Sequence, residues 1–165
     1  MSTEPTARNW QSPSAAERLQ ILQHAKSIAI VGASDKPSRA SYFVATYLSS
    51  TPYRLYYVNP VVKEILGRRT YASLAEVPEP VDIVDVFRRH EDLPGVLQEA
   101  IDAGAKNLWL QLGSWHEDVA FAAEAAGLGV VMDRCVKIEH ARFHGGLHLA
   151  GFNTGVISSK RQVLA

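Results

Sequence analysis

Ser27-Ile28-Ala29-Ile30-Val31-Gly32-Ala33-Ser34-Asp35-Lys36-Pro37-Ser38-Arg39 carries a short apolar run, rich in β-branched residues, into a glycine. Small and polar residues, two bases and a proline follow, and then Phe43, Val44, Tyr47 and Leu48 recur at helical spacing. A strand, a glycine turn and a helix in that order present backbone N–H groups to a phosphate in α/β sheets. The turn departs from the full dinucleotide fingerprint, because Ser34 stands at the second glycine and no third follows. Its weight comes from four later strands that end in similar fashion.

Working outward, residues 1–12 read as a flexible lead-in and residues 13–165 as a single domain. Ser14 and Glu17 form a capping-box pair, and Leu19, Ile21, Leu22 and Ala25 supply the apolar stripe of a first helix. Leu55-Tyr56-Tyr57-Val58 is a second strand ending in Asn59-Pro60, and Gly67 sits in a turn. Ser73 with Glu76 caps a short helix, and Val81 to Phe87 is a third strand carrying Asp82 and Asp85. A helix over Leu93, Val96, Leu97, Ala100 and Ile101 closes at Gly104. Asn107 to Leu112 is a fourth strand, and Ser114 with Glu117 caps a helix whose Val119, Ala122, Ala123 and Ala126 face inward. Gly129 to Met132 is the fifth strand. Strands apolar nearly throughout, alternating with helices, imply a doubly wound parallel sheet with helices on both faces; the expected order is 3-2-1-4-5.

The composition is that of an ordinary globular chain: 165 residues, 47% hydrophobic and 21% charged. Seventeen basic residues balance seventeen acidic ones, so no global field draws the chain to nucleic acid or an anionic membrane, and a phosphate site must be local. One cysteine gives no internal disulfide and fits a reducing cytoplasm. No run reaches the length of a membrane span, and the start lacks a signal peptide's apolar core.

Parallel strands all end on one edge, and ligands bind there. The residues leaving those ends are Gly32, Ala33 and Ser34; Asn59 and Pro60; Phe87 and Arg88; Gln111 and Gly113; and Asp133 and Cys135. Backbone N–H groups of the Gly32–Arg39 turn suit a pyrophosphate, with Lys36 and Arg39 adding charge. Arg88 has two readings, a phosphate partner or a solvated helix-start residue, and Phe87 is either a cover for a ligand or core. A nicotinamide-binding domain usually places Asp or Glu after its second strand to hold the ribose. Asn59-Pro60 stands there instead, with Lys63 close by, which disfavours NAD and leaves NADP open. Cys135, beside Arg134, reads either as an available thiolate or as a small buried hydrophobe. His140, His144 and His148 recur every fourth residue, yet Gly145-Gly146 interrupts the helix a metal face would need. Asp82 and Asp85 fall on opposite faces of their strand and form no acid–base pair. From Ala141 onward the chain is glycine-rich, with a short strand expected at Leu147 to Ala150.

Five blocks carry a resemblance: Ile30-Val31-Gly32-Ala33-Ser34-Asp35-Lys36-Pro37, Tyr57-Val58-Asn59-Pro60, Val81-Asp82-Ile83-Val84-Asp85-Val86-Phe87-Arg88, Leu108-Trp109-Leu110-Gln111-Leu112-Gly113 and Val131-Met132-Asp133-Arg134-Cys135. In order and spacing the chain, from about Ala16 to His140, resembles the small stand-alone CoA-binding proteins. These are related to the N-terminal domain of the succinyl-CoA synthetase α subunit. The resemblance implies a Rossmann-like domain that takes coenzyme A or an acyl-CoA at the strand carboxyl edge. The Gly32–Pro37 loop would hold the diphosphate, and Asn59, Pro60 and Lys63 would lie around the adenosine. Phe87 and Arg88 would flank the nucleotide or pantetheine, Gly113 would admit the pantetheine arm, and Cys135 aligns with a cysteine near the ligand. The chain has no room for a ligase's further domains, so the expected role is a binding module without a catalytic apparatus. The alternatives are a small NADP- or Cys135-dependent enzyme acting on a CoA thioester, or redox protection of CoA through Cys135. Self-association through Trp115 and the glycine-rich tail is left open.

Overall fold

The computed structural model describes residues 9–144. Its element order is α1 (Ala15–His24), β1 (Ser27–Val31), α2 (Ala40–Leu48), β2 (Arg54–Val58), a hairpin of β3 (Glu64–Ile65) and β4 (Arg68–Arg69), and β5 (Ile83–Val86). Then come α3 (Leu93–Asp102), β6 (Asn107–Leu110), α4 (Glu117–Ala125), β7 (Gly129–Val131) and α5 (Val136–His144), with 3-10 turns at Leu74–Glu76 and His90–Asp92. The five long strands form one parallel sheet, and helices cover both faces, as the alternating pattern implies. One face packs α3 and α4 on Ala29, Val31, Val84, Val86, Leu108 and Leu110. The other packs α1, α2 and α5 on Ile28, Ile30, Tyr57, Ile83 and Trp109.

The strand order is β2-β1-β5-β6-β7, which counted along the five parallel strands is 2-1-3-4-5 and not 3-2-1-4-5. Burial explains the difference. β5 is buried at every position, as a strand with two neighbours requires, whereas β2 exposes Arg54 and half-exposes Tyr56. Those two side chains turn outward to clamp Glu79: Arg54 donates through Nε and Nη2 at 2.8 and 2.7 Å, and the Tyr56 hydroxyl donates to the same carboxylate. A strand with such an outer side belongs at an edge. The chain leaves β1 towards β2 on one side and returns to place β5 on the other, so the winding reverses between β1 and β5. Such a reversal opens a crevice beyond the strand ends.

Local signals held unevenly. The first capping box is present: Glu17 N–H donates to Ser14 Oγ at 3.2 Å, and Ser14 N–H donates to Glu17 Oε1 at 3.0 Å. Ser73 makes no side-chain cap, and its segment is a 3-10 turn. The cap of α4 is His116, whose Nδ1 accepts from Val119 N–H at 3.2 Å, and not Ser114. Its buried face is accordingly Val119, Ala120 and Ala123, while Ala122 and Ala126 are exposed. Phe43 is 61% exposed, leaving Val44, Ala45 and Leu48 as the inner stripe of α2; Lys137 Nζ lies 3.7 Å from the Phe43 ring. Trp10, inside the segment read as a lead-in, is only 5% exposed and stacked edge-on against Trp115 at 5.4 Å. The strand expected at Leu147 to Ala150, and His148 with it, lie outside the described residues. No helix among the described residues is long and apolar enough to cross a membrane.

Candidate functional site

A cleft of about 750 Å³ opens at the carboxyl edge, over the β1/β5 reversal. Its size falls within the roughly 300–1,000 Å³ typical of small-molecule sites. Of the positions read from the sequence it collects Gly32, Ala33, Ser34, Lys36, Arg39, Asn59, Phe87, Arg88, Gln111 and Gly113. Pro37, Pro60, Lys63 and Cys135 do not line it.

The floor is set by Gly32. Its φ of +83° favours glycine, and a Cβ there would sit 2.2 Å from the Phe87 carbonyl oxygen. Gly32 N–H donates to Val58 O at 3.1 Å and Phe87 N–H donates to Val31 O at 2.8 Å, so the exits of β2, β1 and β5 are tied together beneath the cleft. Beyond Gly32 the N–H groups of Ala33, Ser34 and Asp35 have no acceptor among the described residues, and the first turn of α2 follows at Ala40 and Ser41 on the cleft wall. Unpaired N–H groups ahead of a helix N-terminus form a cradle whose chemistry suits an anion.

The charges around this cradle are asymmetric. Lys36 and Arg39 have no carboxylate within ion-pair distance among the described residues, while Arg88 pairs with Asp92 at 3.2 Å and Arg89 with Glu91 and Asp92 at 3.5 Å. The cations free to meet an anion therefore sit on the turn side. Asp35 is exposed on the same rim and is the one carboxylate among the described residues that lines the cleft.

Asn59 is used differently from a ribose ligand. Its Nδ2 donates to Ala33 O at 2.7 Å, and its Oδ1 accepts from Val61 and Val62 N–H at 2.7 and 2.9 Å. An aspartate could not donate to the Ala33 carbonyl, so bracing the glycine turn accounts for the amide. Gly113 also answers to backbone geometry: its φ is +86°, its N–H donates to Asp133 Oδ1 at 2.7 Å, and the space where a Cβ would stand is open.

Cys135 is half-buried against the α1/α2/α5 core at the start of α5, away from the cleft lining. Of its two sequence readings, packing is the one its surroundings match. His140 is engaged by the Tyr47 hydroxyl, 2.8 Å from its Nδ1, and no three His, Cys, Asp or Glu side chains among the described residues gather as a metal site. Sequence reasoning missed Ser41, Val62, His90, Ser114 and Trp115 as lining residues. The signal for Ser114 and Trp115 was position alone, since they follow the fourth strand's exit directly. His90 stacks on His116 with ring centroids 4.4 Å apart, a contact across loops that no local pattern encodes.

A second cleft, of about 620 Å³, lies at the opposite edge between α1 and the starts of β6 and β7. Its Asp82 is already engaged by Lys26 N–H at 2.7 Å and Lys106 Nζ at 3.4 Å, and no glycine turn enters it. The strand reversal favours the first cleft.

A family model described as the CoA binding domain matches residues 26–141, which include every strand of the sheet and the whole cradle. The chain belongs to this family. The chain is 43% identical over 131 residues to the uncharacterized protein YneT of Bacillus subtilis, covering 79% of this chain and 97% of that one. It is 30% identical over 88 residues to the ADP-forming acetate–CoA ligase of Methanocaldococcus jannaschii, covering 53% of this chain but 12% of the ligase. A hypothetical protein from Pyrococcus horikoshii has the same fold at a TM-score of 0.78 and 34% identity, covering 88% of this chain and 99% of that one.

Proposed function

We propose that the chain binds coenzyme A, or an acyl-CoA, in the β1/β5 cleft and acts as a binding module rather than as a complete ligase. The observation that carries this reading is the Ala33–Asp35 cradle of unpaired N–H groups with the unpaired Lys36 and Arg39 beside it. Membership of the CoA binding domain family supports the choice of ligand. The sheet order lays the lining out in sequence along the edge, and the ligand follows it. The adenosine lies towards Asn59 and Val62 at β2, the diphosphate over the β1 turn, and the pantetheine arm along Phe87, Gln111 and Gly113 at β5 and β6. Pro60 and Lys63, outside the lining, contribute at most to the outer adenosine end. The lone cysteine supports a reducing, cytoplasmic setting.

Isothermal titration of the purified protein with CoA, and with NADP under the same conditions, tests the reading. CoA should bind and NADP should not. Charge reversal at Lys36→Glu with Arg39→Glu should weaken CoA binding by about 10- to 100-fold, since each charge-assisted contact contributes about 1.5–3 kcal/mol when desolvated and less at an exposed rim. Unchanged affinity in the double variant, or NADP binding in place of CoA, would refute it.

A further inference from the structure

Asp85 stands in the middle of β5, in register with Ile30 of β1 and Trp109 of β6, and is 0% exposed. The other buried charges among the described residues, Arg18 and Glu139, pair with each other at 3.2 Å. Asp85 has no cation: its Oδ1 accepts from Gln111 Nε2, and its Oδ2 has no partner. A carboxyl group buried in a central strand is destabilising relative to an apolar side chain, and Gln111 is its one hydrogen-bond partner among the described residues.

What it holds is a side chain of the cleft. Gln111 follows β6 at the carboxyl edge, is 8% exposed, and lines the site beside Gly113. Its amide is planar, so fixing Nε2 on Asp85 turns Oε1 to the opposite side, where no described residue donates to it. The turn, the α2 N-terminus, Lys36 and Arg39 all offer donors or positive charge, which read phosphate. Gln111 Oε1 offers a neutral acceptor, which reads an N–H. We propose that the Asp85–Gln111 pair selects a ligand whose arm carries an amide N–H, with Gln111 accepting that hydrogen bond and Asp85 acting as the positioning residue. The inference rests on the CoA reading and deepens it, because the pantetheine arm is the part of CoA that carries amides.

The test compares CoA with 3′-phosphoadenosine 5′-diphosphate, which has the nucleotide and phosphates without the arm, by calorimetry on the full chain. Gln111→Met keeps the volume and removes the acceptor. It should weaken CoA about tenfold, the equivalent of about 1.4 kcal/mol, and leave the armless nucleotide unchanged. Asp85→Asn lets the Gln111 amide bond in either orientation and should weaken CoA about two- to threefold, again without affecting the armless nucleotide. Equal losses on both ligands, or no loss on CoA, in either variant would overturn the inference while leaving CoA binding itself intact. No CoA binding by the unmodified protein would overturn both this inference and the reading beneath it.

Discussion

Replacing Gly32 by alanine should destabilise the protein by about 3–4 kcal/mol, and the structure divides that cost into separable parts. An alanine held at φ +83° is in the left-handed region, which costs about 1–2 kcal/mol. Its Cβ would also stand 2.2 Å from Phe87 O, 3.0 Å from Phe87 C and 3.1 Å from Arg88 Cδ. The arginine can move, but the Phe87 carbonyl is backbone anchored by the Phe87 N–H to Val31 O bond of 2.8 Å. Relief requires the β1 and β5 exits to part by about 1 Å, at the expense of about one hydrogen bond and its packing, roughly 2 kcal/mol. Gly113→Ala is the control, because Gly113 has a similar φ of +86° and open space at its Cβ position. It should show the backbone cost alone. Urea unfolding of both variants measures the difference, expected near 2 kcal/mol. Equal destabilisation of the two variants, or a loss below about 1 kcal/mol in Gly32→Ala, would refute the close approach of β1 and β5 under the cleft.

Other outcomes follow from single contacts. Asp85 is protonated in the folded chain over a pH range where it is ionised in the unfolded one, so the folded state holds the extra proton. Stability should therefore fall as pH rises above the ordinary aspartate value of about 3.9 towards the raised folded value, by up to about 1.4 kcal/mol per pH unit. Asp85→Asn should remove this slope and be the more stable at pH 7, with the gap closing near pH 4; parallel urea midpoints at both pH values would contradict it. Arg18→Met leaves Glu139, 2% exposed, with only Arg134 at 3.4 Å and Arg142 at 3.9 Å among the described residues. The expected loss is about 2–3 kcal/mol, below the roughly 3–5 kcal/mol for a buried charge left alone, read as a shift in thermal midpoint. His116→Ala removes the α4 cap and should cost about 1 kcal/mol, with His116→Asp restoring most of it in the same melt.

The alternation of apolar strands with helices was enough to read the α/β sheet and the carboxyl edge where the cleft opens, because burial on both faces writes a continuous apolar run into the chain. The order of the strands was harder to see. Tyr56 is a residue at home in a core or at an edge, and the Arg54–Glu79 clamp that marks β2 as an edge spans 25 residues. The glycine turn was legible since a positive φ leaves a glycine behind, and ten of the fourteen candidate positions meet in one cleft. Pro60 and Lys63 diverge because the β3–β4 hairpin begins there and carries the chain away from the edge. Cys135 lies at the right strand exit, but α5 starts at once and turns its side chain into the core. Asn59 was read as what it lacks, an acid for ribose; its donation to Ala33 O is a contact between two loops that a single sequence does not display. Trp10 was hidden by the polar residues around it.

The central claim, that the ligand's diphosphate rests on the Gly32 turn, is tested most directly by a crystal structure of the protein with CoA. The account predicts phosphate oxygens within hydrogen-bond distance of the Ala33, Ser34 and Asp35 N–H groups, with the pantetheine arm running past Gln111. A CoA molecule seated elsewhere, such as in the cleft beside α1, or a turn that meets no phosphate, would contradict it.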